Sequence, residues 1–183
     1  KCRIWQGQEK QWSDVDFPGA LFLTRFGIDV DGVTIAVQGA GYDNEDTAWR
    51  FENNSWRFAP YLSRGLKANG KRVITFEGNF SDIRIRDIDG DGSPELLVLD
   101  DDIHAVFMRN NLTKGWKKLP FAPPSGANFV TGENGDNGLR MADVDSDGDL
   151  DILIANEDVY ALYLFDSMKT GWSTTAISGK RDG

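Results

Sequence analysis

The side chains with chemistry to offer are carboxylates, and they come in two nine-residue sets. Asp87, Asp89, Asp91 and Glu95 form the first; Asp143, Asp145, Asp147 and Asp151 form the second. Both sets take positions 1, 3, 5 and 9 of a loop whose position 6 is glycine, Gly92 or Gly148. Glycine there permits a turn that a side chain would obstruct. Carboxylates this close repel one another unless a cation lies among them. Calcium suits a flexible, all-oxygen shell of roughly six to eight ligands. The expected ligands are the four side chains of each set, joined by the backbone carbonyls of Ser93 and Asp149. Two calcium ions are expected, and their role is structural. Each set of carboxylates is used up on one ion, which leaves no open position and no general base for catalysis.

An acidic loop opening in this way also begins an EF-hand, which needs a bidentate Glu at position 12 and a helix on either side. Position 12 is Val98 in one loop and Ile154 in the other. Each loop runs directly into an apolar, β-type stretch, 95–99 or 151–155. The acid at position 9 is therefore expected to close the shell.

The elements that position these loops repeat with them. Asp87 and Asp143 lie 56 residues apart, and so do Trp116 and Trp172. Trp56 precedes Trp116 by 60, and a weaker copy of the loop, Gly27–Ile35, precedes Asp87 by the same 60. That copy keeps Asp29, Asp31 and Gly32 but has Gly27 at position 1 and Ile35 at position 9, so it reads as a repeat that has lost its metal site. Trp12 marks the tail of a truncated unit before it.

A period of 50–60 residues signals a propeller or an array. Short β-like segments are expected at 82–86, 95–99, 103–108 and 116–119, and again at 138–141, 151–155, 159–164 and 172–176. Gly, Asn, Asp and Pro separate them, and no helical period persists over three turns. Four antiparallel strands per unit make one propeller blade. The reading is an all-β, β-propeller segment of about three blades plus a partial one, an incomplete ring. Residues 1–19 would be the tail of a truncated blade and 20–68 a blade without metal. Residues 69–125 and 126–183 would be calcium-binding blades.

These loops resemble the FG-GAP or VCBS repeats of integrin-alpha-like β-propellers, a resemblance that covers about residues 20–180. It implies that calcium ties the first two strands of a blade together. A narrower likeness runs through Gly135–Arg140, Asn156, Glu157, Tyr163–Phe165, Trp172 and Ser178–Arg181. These are similar to the repeat region of large secreted bacterial dehydrogenase-type proteins. That likeness implies a parent with a sugar-dehydrogenase-like propeller and a haem domain. No Cys-x-x-Cys-His occurs in this chain, so any haem would sit outside it.

Arg84 and Arg140 each stand three residues before the first Asp of a loop. They either line a ring centre and hold an anionic ligand or pair with loop carboxylates. Trp5 and Trp49 fall outside the Trp register and are candidates for partner contacts or for packing. His104 is the sole histidine, too little for a triad or a His-rich zinc site. The Asp100–Asp102 run reads as a solvated turn or a weak ion site, and Asn53, Asn79 and Asn111 fit the glycosylation acceptor pattern.

The 183 residues carry a net charge of −9, which argues against a nucleic-acid backbone as partner. The one cysteine, Cys2, excludes a disulfide within the chain, and no apolar run approaches a membrane span. No signal peptide is visible, so the chain reads as beginning inside a folded region. No nucleophile–base pair, phosphate loop or redox motif is present.

The leading expectation is a calcium-binding scaffold or interaction module of a secreted, periplasmic or cell-surface protein. Its partners would be the remainder of the propeller, on the same or another chain, and a protein or carbohydrate. The alternatives are a non-catalytic part of a secreted oxidoreductase or carbohydrate-active enzyme, and a lectin-like propeller. Neither nucleic-acid binding nor membrane insertion is expected.

Overall fold

The computed structural model describes residues 2–6, 10–18, 24–38, 47–73, 83–99, 103–110, 115–127, 130–131 and 135–180. A hairpin of β1 (Cys2–Gln6) and β2 (Gln11–Val15) comes first. The first blade follows as β3 (Thr24–Ile28), β4 (Thr34–Gln38), β5 (Thr47–Glu52) and β6 (Ser55–Phe58). A 3-10 helix at Pro60–Ser63 and a small hairpin, β7 (Lys67–Ala68) and β8 (Lys71–Arg72), lead onward.

The second blade is β9 (Ile83–Arg86), β10 (Glu95–Leu99), β11 (His104–Asn110) and β12 (Gly115–Lys118). The hairpin β13 (Val130–Thr131) and β14 (Gly135–Asp136) precedes the third blade. That blade is β15 (Leu139–Ala142), β16 (Asp151–Ala155), β17 (Val159–Leu164) and β18 (Thr174–Lys180).

Each blade is a four-stranded antiparallel meander with its strands in sequence order, so the fold is all-β and built from three propeller-like blades. A two-residue turn suffices between β5 and β6. Asn53 and Asn54 both take positive φ, 50° and 57°, between β5 and β6, a turn that matches the twist of the strands it joins. The acidic loops join the first strand of a blade to its second. The second and third blades share one register: Leu97 lies opposite Arg84, and Leu153 opposite Arg140.

The strands at 95–99, 151–155 and 159–164 have the expected ends, and the others differ by one or two residues except at the last. β18 begins at Thr174, because Ser167 bridges Gly171 and a tight turn holds Trp172 outside the strand. The small hairpins β7–β8 and β13–β14 were not expected from the sequence.

The core lies between blades. Ile35 and Val37 of the first blade pack against Ile83, Ile85, Leu96 and Val98 of the second. Ile88, Leu97, Leu99 and Val106 of the second blade pack against Leu139, Ile152, Ile154 and Trp172 of the third. The second blade is thus covered on both faces. β10 is accordingly buried at every position, a continuous apolar run rather than an alternating one, whereas β16 is buried at Asp151, Ile152 and Ile154 and exposed at Leu153 and Ala155.

Candidate metal centre

Both acidic loops are shaped by their own backbone. The glycine at position 6 has positive φ in all three copies: 76° at Gly32, 84° at Gly92 and 100° at Gly148. In the first loop the Gly92 N–H donates to Asp87 Oδ2 at 3.0 Å, and the Ile88 N–H to Glu95 Oε2 at 2.9 Å. In the second, Gly148 and Asp147 N–H groups donate to Asp143 at 3.2 and 3.1 Å. Val144 and Phe165 N–H groups donate to the two oxygens of Asp151, each at 2.9 Å. The position-9 acid is therefore a brace between the loop and the strands, held at 1 % exposure in both copies.

Asp87, Asp89 and Glu95 bring oxygens within 4.8 Å of one another, and so do Asp143, Asp145 and Asp151. The position-5 acids accept from the backbone two residues on: Asp91 from the Ser93 N–H at 2.6 Å, and Asp147 from the Asp149 N–H at 2.9 Å. Positions 1, 3 and 9 converge, and position 5 caps the turn that carries the position-7 carbonyl.

The electrostatics favour a cation. Burial first, then the charges of Asp89, Asp91 and Asp87, push the Glu95 carboxyl up to about 8, against a lowering bond from the Ile88 N–H. Burial and the neighbouring Asp91 and Asp87 raise Asp89. Burial, Asp147 and Asp151 raise Asp145. Asp87 Oδ1 is buried and has no hydrogen-bond partner in the structure. A buried, unsatisfied carboxylate oxygen is costly, and the hard-oxygen donor set beside it fits calcium.

The two loops touch. The Leu150 N–H donates to the Ile88 carbonyl at 2.7 Å, and the Gly148 carbonyl lies against Gly90. Burial and Asp147 raise Asp149, and Asp89 of the other loop raises it further.

The third copy of the loop is filled differently. Arg50 donates from Nη1 to Asp29 and from Nη2 to Asp31, both at 2.5 Å, and from Nε to Glu52 at 2.9 Å. Arg109, from the second blade, donates from Nε to Asp29 at 2.9 Å and from Nη1 to the Gly115 carbonyl at 3.0 Å. Two guanidinium groups thus stand on the carboxylates of the loop that lacks positions 1 and 9. Gly27 at position 1 also has a steric reason, since a Cβ there would run into the side chain of Ile85. Burial lowers the Arg50 pKa, but its bonds to Glu52 and Asp31 outweigh that and hold it above its ordinary value.

Arg140 pairs with Asp136 on β14, at 2.6 and 3.0 Å, rather than with a loop carboxylate. Arg84 donates to its neighbour's carbonyl, that of Ile83, at 2.9 Å. Trp49 is buried and sits edge-on to Phe17 at 5.1 Å, a packing role. His104 is half-buried opposite Leu99 in the β10–β11 hairpin. The Asp100–Asp102 run, Asn79, Asn111 and the Trp5 side chain lie outside the described residues. Among the described residues, no helix is long and apolar enough to cross a membrane.

Residues 87–154 match the FG-GAP-like repeat family. The matched stretch opens on the first aspartate of one loop, crosses the junction of the second and third blades, and ends in β16. The FG-GAP-like stretch therefore contains both carboxylate clusters and the contact between them. No curated protein and no solved structure matches the chain.

The Trp-linked aromatics escaped the sequence reading. Phe17 stands edge-on to Trp49 and Trp56, each at 5.1 Å, and Phe121 to Phe165 and Trp172 at 6.1 and 6.0 Å. Each Phe comes five residues after a Trp, Trp12 or Trp116, so a spacing signal was present. Arg50 and Arg109 were also missed. Their partner Asp29 lies 21 and 80 residues away in the chain, and no local spacing connects them.

Proposed function

We propose that this chain is a calcium-braced propeller segment that serves as a scaffold or interaction module outside the cytoplasm. It rests on the FG-GAP-like match over 87–154 together with the three blade sheets, which support a propeller-type interaction module. Asp87, Asp89, Asp91 and Glu95 would hold one ion, and Asp143, Asp145, Asp147 and Asp151 the other, joined by the Ser93 and Asp149 carbonyls. The ion supplies positive charge where buried carboxylates otherwise repel. The observation that carries this reading is the buried, unpartnered Oδ1 of Asp87 beside a Glu95 that is 1 % exposed.

The chain's own groups do the mechanical work. Glu95 and Asp151 tie the loop backbone to strand ends, so a loop fixed by an ion fixes the first two strands of its blade. Extracellular calcium modules hold their ion at roughly 10⁻⁴–10⁻³ M, an affinity that fits an extracytoplasmic setting. Function would then lie on the blade faces and edges, toward a protein or carbohydrate partner.

Calorimetric titration of chelator-stripped protein tests this. The expected result is close to two calcium ions per chain and a raised melting temperature, since a ligand that binds the folded state stabilises it by mass action. Identical melting curves in calcium and in chelator would overturn the reading.

A further inference from the structure

The degenerate loop opens onto a cleft of about 310 Å³ where the first blade meets the second. Four elements line it. The loop gives Asp29 and Asp31, β5 gives Arg50 and Glu52, the 3-10 helix gives Tyr61, and the end of β11 gives Arg109 and Asn110. Asp29 and Arg109 form a buried floor, at 3 % and 8 % exposure. The charged groups hold one another in place: Arg109 grips Asp29, and Arg50 grips Asp29, Asp31 and Glu52 at once. Asp31 and Glu52, each about half exposed, stand at the rim.

We propose that this cleft binds a neutral, polyhydroxylated ligand, one pyranose unit of a carbohydrate. The charge balance selects the class. Three carboxylates against two guanidinium groups leave one negative charge, which disfavours an anion. A cation gains little, because every carboxylate in the cleft already holds a guanidinium. A hydroxyl group donates and accepts, and the cleft offers both. Arg50 uses three of its five N–H groups in these bonds, carboxylate oxygens accept more than one hydrogen bond, and Asn110 and Tyr61 can do either. Neighbouring ring hydroxyls match the two-pronged shape of carboxylate and guanidinium groups. Tyr61, packed against the core of the two blades, brings an aromatic ring for the C–H face of a sugar. Side chains already fixed by one another lose little freedom when a ligand arrives. The volume lies at the small end for ligand pockets, which suits one ring rather than a long chain. The inference rests on the interaction-module reading, whose partner it makes specific, and not on calcium.

Saturation-transfer NMR on the 183-residue chain, in saturating calcium, tests it. The probes are the methyl pyranosides of glucose, galactose, mannose and N-acetylglucosamine, with sorbitol as the open-chain control. At least one pyranoside should bind with a dissociation constant on the order of 1 mM, and sorbitol should not bind. Glu52→Ala removes a rim acceptor and should weaken that binding about tenfold or more. Asn110→Ala should act in the same direction, which covers the case in which the Glu52 variant fails to fold. The calcium count, taken on the same samples, should not change in either variant. No binding of any pyranoside, sorbitol binding equal to theirs, or affinity unaltered in both variants would overturn the inference. If two ions still bind in that case, the calcium reading stands. Sugar binding without calcium binding would strike that reading and leave the cleft.

Discussion

Arg109 and Asp29 are 80 residues apart in sequence and form a buried ion pair, Nε to Oδ1 at 2.9 Å, that joins the second blade to the first. Arg109 is also held by the Gly115 carbonyl and lies 4.9 Å from the ring centre of Trp116. Arg50 completes the set from within the first blade. The loop without the full carboxylate set is thus braced by guanidinium groups, and the two loops that keep it are braced by hydrogen bonds from their own backbone.

Asp29→Ala should therefore destabilise the chain whether or not calcium is present. It leaves Arg109, with a side chain 7 % exposed, without its carboxylate. Breaking one partner of a buried pair costs about 3–5 kcal/mol. Urea denaturation in calcium and in chelator should show the same loss in both. A loss confined to one condition would mean that this junction, too, depends on the metal.

Asp89→Ala and Asp145→Ala should each remove one ion. Stoichiometry by titration calorimetry should fall from about two to about one in either variant, with a smaller calcium-induced rise in melting temperature. Retention of both ions would remove position 3 from the ligand set.

The pH dependence of the metal-free chain follows from Glu95. Its folded-state pKa of about 8 lies above its ordinary 4.5. Between these values the folded chain keeps a proton that the unfolded chain has released. Metal-free stability should therefore fall as pH rises from about 4.5, and the penalty should be complete above about 8, on the order of a few kcal/mol. Calcium should remove that loss by stabilising the ionised form. Thermal melts across this range in chelator, with and without Glu95→Gln, would check it; the variant should flatten the curve.

Gly171→Ala should disturb the third blade's aromatic packing. Gly171 has φ 66°, and an added Cβ would collide with the ring of Phe121. Strain of this kind costs about 1–3 kcal/mol. Displacement of Phe121 from Trp172 should appear as changed near-UV circular dichroism with the far-UV spectrum retained.

The local grammar of the chain was readable in advance. Residues 95–99 and 151–155 are strands because apolar β-formers follow an acidic turn, and the glycine at position 6 is required wherever φ is positive. The 56-residue spacing set the blades in register. The site was only partly legible. Positions 1, 3 and 9 converge, and Asp91 and Asp147 also accept from backbone N–H groups two residues on, a local bond that a ligand pattern does not reveal. Arg140 found Asp136 on a two-residue strand too short to show a period.

From its sequence alone, then, this protein is an all-β repeat with two acidic loops and one degenerate copy, because turn chemistry and strand alternation act within a few residues. Only the tertiary structure could decide that Arg109 reaches Asp29, that Phe17 and Phe121 seat on neighbouring tryptophans, and that β10 is buried on both faces where β16 is not. These depend on which blade lies beside which, and side-chain contact between blades is set by packing distance in space rather than by separation along the chain.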